Sequence, residues 1–212
     1  PEALRSHLVE MIKEYRLNRG KGVIAQFNRY SYDEFSFFTR IGSGSLGGKG
    51  RGLAFIDYQL RKSDIIDKYS MMYISIPRTV VISTDIFTQY MEEHNLMEIA
   101  GSSLPDETMR KLFLSKPLPD ELMLDLEAII RIIKVPIAVR SSSLLEDSHY
   151  QPFAGVYETC MLPNTGSDEA RLNALSQAIR CVYASTFYNK SKDYLKATNH
   201  MVEEEKMAVV IQ

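Results

Sequence analysis

The chain has 212 residues, room for one large domain or two small ones, with 45% apolar residues and a formal net charge of −2. Acidic and basic residues are interspersed, which argues against a nucleic-acid or anionic-membrane partner. Cys160 and Cys181 form no CxxC pair, and His7, His94, His149 and His200 lack metal-ligand spacing. A disulfide framework or structural zinc site is therefore not expected, and a reducing cytoplasm is the simplest setting.

In chain order, Leu4, Leu8, Met11, Ile12 and Tyr15 recur at helical spacing and predict an amphipathic helix over residues 1–17. Gly20 and Gly22 punctuate the chain before an aromatic stretch, residues 27–38, without a clear period. A glycine-rich run, residues 41–52, is followed by Leu53, Ile56 and Leu60 on one helix face. Residues 77–83 (PRTVVIS) read as a buried strand, and Ser83, Thr84 and Asp85 offer N-cap side chains for a helix to about Glu93. Met109, Leu112 and Phe113 mark a short helix; Leu122, Leu126, Ile129, Ile130 and Ile133 mark a longer one opened by Pro119. Residues 136–140 (PIAVR) read as a strand with Arg140 at its carboxyl end, and residues 156–162 as another. Leu172, Leu175, Ile179, Val182 and Tyr183 define a long helix, and residues 207–211 a closing strand. The expected fold class is α/β, in the sense of a mixed α+β domain that presents loops at strand ends.

No run approaches the roughly 20 apolar residues that span a bilayer, and no charged leader precedes an apolar segment. Pro1 stands where a methionine would, and residues 207–212 read as an unfinished strand, so a processed piece of a larger chain is expected.

The run IGSGSLGGKGRG at residues 41–52 holds six glycines, two serines and Lys49. Glycine tolerates positive φ, so such a loop can press its N–H groups against an anion, with a following helix N-terminus adding donors. The Walker pattern fails, because Ser43 stands where its first glycine belongs and Gly50 follows the lysine. Gly42, Gly44 and Gly47 spell GxGxxG, but the acidic residues at dinucleotide spacing, Asp64 and Asp67, lie in a polar helix-like run. No VAIK, HRD or DFG segment accompanies the loop as in protein kinases, and no GxSxG elbow is present. On the loop alone, a turn that binds nothing stays open.

Several separated segments add to the loop. Residues 46–53 (LGGKGRGL) resemble the G-G-K-x-x-x-L loop of the phosphoenolpyruvate synthase and pyruvate, phosphate dikinase family. Residues 76–84 (IPRTVVIST) resemble its V-P-x-G-F-x-x-T segment, and Val139, Arg140, Ser141 and Ser142 its V-R-S-S. Glu146 with Asp147, and residues 153–159 (FAGVYET), are similar to its E-D and F-A-G-x-x-x-T; residues 182–185 and 207–212 resemble its later helix and V-V-Q strand. Pro152 replaces the small polar residue usual before F-A-G, and Arg78 the usual glycine after Pro77.

The resemblance implies the N-terminal lobe of an ATP-grasp nucleotide-binding domain over residues 41–212, cut short at its C-terminus, with residues 1–40 as an N-terminal helix and linker. It implies that Gly47, Gly48, Lys49 and Arg140 contact the phosphates of ATP, with Lys49 and Arg140 catalytic. Ala154 and Gly155 would belong to a flap over the phosphates, Thr159 would add a hydroxyl contact, and Gln212 would lie near adenine. The phosphoryl group would pass through a phosphohistidine on a separate domain of the parent chain to pyruvate or a similar acceptor. Magnesium would be required, with its ligands outside these residues, and the chain alone would bind nucleotide poorly and be inactive. Alternatives are a nucleotide-sensing module without catalysis, or a related phosphotransferase acting on an antibiotic or a glucan. Arg140 could also pair with Glu146 or Asp147, and Ser143 with Glu146 fits a helix capping box.

Overall fold

A computed structural model describes residues 2, 4–8, 11, 24–31, 37–63, 65–69, 71, 72, 74–143, 155–198 and 201–212, those at 61, 66, 67 and 203 by their backbone only. Its strands are β1 (Ala25–Gln26), β2 (Phe38–Ile41), β3 (Thr79–Ile82), β4 (Ile137–Ser143), β5 (Thr159–Leu162) and β6 (Met207–Ile211). Its helices are α1 (Gly47–Lys62), α2 (Ile65–Lys68), α3 (Thr84–Glu93), α4 (Met97–Ala100), α5 (Asp106–Leu114), α6 (Asp120–Ile132), α7 (Asp168–Ser185) and α8 (Asn189–Ala197). The fold is mixed α/β.

The strands form one sheet in the order β1-β2-β3-β6-β4-β5. β1, β2 and β3 run parallel; β6 lies antiparallel to both β3 and β4, and β5 antiparallel to β4. Pairing thus reaches back across residue 41, since β1 and the start of β2 belong to this sheet. The closing strand is central and buried along its whole length. An apolar run such as MAVVI, β-branched in its second half, suits a strand covered on both faces.

Side chains alternate across the sheet and sort its two faces. On one face Ile41, Val80, Ile82, Ile137, Val139, Val209 and Ile211 join a core with Phe87 and Tyr90 of α3, Phe113 of α5, Leu122, Leu126 and Ile129 of α6, and Leu175, Ile179 and Tyr183 of α7. On the other, Phe38, Val81, Ala208 and Val210 pack with Leu46 and with Leu53, Ala54 and Leu60 of α1. Arg171 links α6 to α7 on the first face. Its Nη2 donates to Ile130 O (2.7 Å) and Ile133 O (2.6 Å), its Nε to Asn164 Oδ1 (2.9 Å) and its Nη1 to Asp168 Oδ1 (2.7 Å). Carbonyls at a helix C-terminus lack intrahelical partners, and a buried guanidinium supplies several donors at once.

Some boundaries differ from expectation. β4 continues to Ser143, so Arg140 stands mid-strand rather than at a strand end. Pairing with the antiparallel β6 extends as far as Ser143–Met207, which the PIAVR segment alone does not reveal. β5 begins at Thr159 rather than residue 156; Tyr157, just before it, is buried in the core. Of the helix expected over residues 1–17, residues 4–8 are helical and expose Leu4 and Leu8, while Ile12 and Tyr15 lie outside the described residues. Among the described residues, no helix is long and apolar enough to cross a membrane.

Candidate functional site

The loop between β2 and α1 is shorter than the glycine run. α1 starts at Gly47, so Lys49 sits in the first helical turn rather than on a mobile loop. Gly47 has φ +68°, and a Cβ there would lie 1.6 Å from Ser142 O, so the chain passes tightly over β4. The Ser142 hydroxyl fixes this junction by donating to Leu46 O (2.7 Å) and accepting from Gly50 N (2.9 Å). Lys49 Nζ donates to Ser141 Oγ at 3.4 Å. Gly48 and Lys49 lie in the first helical turn, whose N–H groups point out of the helix end. That turn carries a lysine and no acidic residue, the reverse of what the helix dipole favours, so an external anion there would be stabilised by both.

The loop amides themselves are already engaged. Ser43 N donates to Asp85 Oδ2 (2.7 Å), as does Ser43 Oγ (3.0 Å), and Ser45 N donates to Thr84 Oγ1 (3.0 Å). Thr84 N returns a bond to Ser45 O at 2.9 Å. The Ser83 hydroxyl lies 2.7 Å from Ile41 O and 2.5 Å from Asp85 Oδ1, and its one proton serves one of them at a time. Ser83 precedes α3 but makes no side-chain cap, because its hydroxyl faces β2 and Asp85. Burial raises the Asp85 pKa, yet hydrogen bonds from Ser83, the Ser43 and Gly44 amides and the Ser43 hydroxyl outweigh it and hold the carboxyl at about 2.

A second group lies on the sheet face that α1 covers. Arg140 pairs in register with Thr159, and Ala138 with Met161. Alternation places Ala138, Arg140 and Ser142 together on that face. Arg140 Nη1 donates to Gln212 Oε1 (3.3 Å), and Gln212 Nε2 donates to Thr79 Oγ1 (3.1 Å). Thr159 and Met161 on the flanking strand are exposed. The structure therefore sets Arg140, Thr159 and Gln212 side by side, and joins Gly47 and Lys49 to Ser142 and Ser141 of the strand that holds Arg140.

Gly155, φ +70°, lies between Arg140 and Thr159 in the chain, and its carbonyl accepts from Lys190 Nζ (2.8 Å). Ala154, Glu146, Asp147, His149, Pro152 and Phe153 lie outside the described residues. So does the Glu146 half of the expected capping box, whose Ser143 is the last residue of β4. Cys181 is buried and Cys160 half-buried, its thiol pushed up to about 11 by burial first and then by Cys181 and Glu158. Sequence reasoning missed the part played by Asp85, Ser142 and Thr79. Asp85 stood out only as a capping residue, and the parallel pairing of β2 with β3 that aims it at the loop carries no local signature.

A family model described as pyruvate phosphate dikinase, AMP/ATP-binding domain, matches residues 43–212. A Bacillus subtilis (strain 168) protein named "Uncharacterized phosphotransferase YvkC" is 28% identical over 142 residues, covering 66% of this chain and 16% of that relative. The chain thus spans about a sixth of the length of that relative.

Proposed function

Because the chain belongs to the family of pyruvate phosphate dikinase AMP/ATP-binding domains, we propose that it forms the ATP-binding part of a phosphotransferase, as the N-terminal lobe of an ATP-grasp domain. The observation that carries this reading is the adjacency of two cationic elements on one strand. Arg140 projects from β4 beside Thr159 and Gln212, and the first turn of α1, with Lys49, is bonded to Ser141 and Ser142 of the same strand.

Phosphoryl transfer asks a protein mainly for positioning and for charge placed where negative charge builds up. Arg140 offers a planar fork of donors on a rigid strand, held through Gln212, and Lys49 a compact ammonium. Gly47 and Gly48 bring backbone amides close, and the α1 dipole adds to them. Thr159 offers a hydroxyl next to Arg140. Gln212, already shared between Arg140 and Thr79, is the polar group for the base. Ala154 and Gly155 belong to the segment that would cover the phosphates. Magnesium would accompany the nucleotide with its ligands outside these residues; among the described residues no group of three or more His, Cys, Asp or Glu could hold a metal.

The route beyond ATP is a phosphohistidine on another domain, then pyruvate or a similar acceptor. The family description and the phosphotransferase name of the Bacillus relative support an ATP-binding phosphotransferase module, and the route beyond it rests on the motif resemblance. The test is Mg-ATP binding by the full-length protein. Replacing both Lys49 and Arg140 by alanine should weaken binding about a hundredfold or more, since each removes charged hydrogen bonds. Affinity equal to wild type would overturn the reading.

A further inference from the structure

A glycine loop with several amides turned inward forms a nest for an anion, and here one carboxylate of the protein fills it. Asp85 Oδ2 accepts from Ser43 N at 2.7 Å and Ser43 Oγ at 3.0 Å. The Gly44 amide donates to the same carboxylate, and Ser83 Oγ lies against its other oxygen. The loop is shaped around it: a Cβ at Gly42 would lie 2.6 Å from Asp85 Oδ1, and one at Gly44 2.7 Å from Asp85 N. Thr84, the residue before Asp85, takes the Ser45 amide and bonds back to Ser45 O. Two residues after Ser45, the chain enters the first turn of α1 through Gly47, whose amide donates to Ser45 Oγ at 3.2 Å. The path from Asp85 to Lys49 is therefore continuous and short. A phosphate approaching Ser43 and Gly44 would meet a carboxylate already seated there, and like charges at that distance repel.

Resting on the nucleotide-binding reading above, we infer that Asp85 is a positioning residue for that site: it occupies the anion nest of loop 42–45 from within and thereby aims the first turn of α1, with Gly48 and Lys49, at the phosphates. The nucleotide then meets the helix N-terminus and not the loop. Asp85 acts through Ser43, Gly44 and Ser45 and does not touch the nucleotide. A nest emptied of its carboxylate should accept a small carboxylate from solution, which a purely structural role elsewhere would not predict.

The test uses the full-length protein as Asp85→Ala, Asp85→Asn and Lys49→Ala variants. It measures Mg-ATP affinity, and amide exchange over residues 42–50 without nucleotide, each with and without sodium formate. Asp85→Ala should bind Mg-ATP about tenfold or more weakly and exchange faster at residues 43 and 44, because charged hydrogen bonds to amides are lost. Formate should restore both readings in Asp85→Ala and neither in Lys49→Ala. Asp85→Asn, which keeps the shape and one acceptor, should fall between wild type and alanine, and it carries the test if the alanine variant does not fold. Wild-type affinity in a folded Asp85→Ala or Asp85→Asn, or a loss in Asp85→Ala that formate leaves unchanged, overturns the inference. If Lys49→Ala also binds Mg-ATP like wild type, the nucleotide-binding reading itself fails; if Lys49→Ala loses affinity and the Asp85 variants do not, only the role of Asp85 fails.

Discussion

At Gly47 a single hydrogen in place of a methyl group decides whether α1 can begin where it does. Its φ of +68° is costly for an L side chain, and an added Cβ would stand 1.6 Å from the Ser142 carbonyl. Gly47→Ala should therefore lose about 2–4 kcal/mol, from positive-φ strain together with overpacking against backbone. Urea unfolding measures this, and a midpoint within error of wild type would refute it. Gly52, in the same helix, has nothing within 4 Å of an added Cβ, so the two glycines look alike in the sequence and differ only in what lies above them. Lys49 shows the same dependence on context. In the sequence it stands within a run of six glycines. In the fold it stands in a helical turn with Ser141 in reach. The residue type was legible; its stiffness was not.

Among the elements, α6 was the most legible. Leu122, Leu126, Ile129 and Ile130 keep the helical period, Pro119 stands at the N-cap, and all four side chains are buried. Leu126 is fully buried, whereas Leu124 of the same helix is 46% exposed. Leu126→Ala should cost about 2–5 kcal/mol by leaving a cavity, while Leu124→Ala should stay within about 0.5 kcal/mol of wild type. Thermal or denaturant unfolding of the pair checks both, and equal losses would show that the face assignment is wrong. β6 was also readable as a buried strand from its apolar run, and α7 from its period. The end of β4 was not: residues 141–143 are three serines, which no hydrophobic pattern marks as strand. They are strand because β6 pairs with them, and the hydroxyls of Ser141 and Ser142 serve Lys49, Gly50 and Leu46. Propensity yields there to long-range pairing.

For the whole molecule, the tie between β2, the glycine loop and α3 makes stability sensitive to acid. Asp85 is held at about 2 against an ordinary value of 3.8. A carboxyl whose folded pKa is depressed contributes stability that is complete above the unfolded value and fades as pH falls through the folded one. Because the group is partly exposed, solvent screening leaves about 1 kcal/mol of this. Wild type should thus exceed Asp85→Asn in stability at pH 5, with the gap closing between about pH 4 and pH 2. Unfolding curves at both ends of that window test it; a gap that holds constant would remove the carboxylate from the account.

The sequence alone determined the α/β character, the order of most elements, the family resemblance and the residue types of the site, because each rests on local periodicity or short motifs. Tertiary structure alone decided that Arg140 stands mid-strand beside Thr159 and Gln212, that α1 begins inside the glycine run, and that the Asp85 carboxylate accepts from the loop amides. Those facts depend on which strands pair and in what register. Hydrogen bonding between segments distant in sequence settles that, and no local pattern of residues records it.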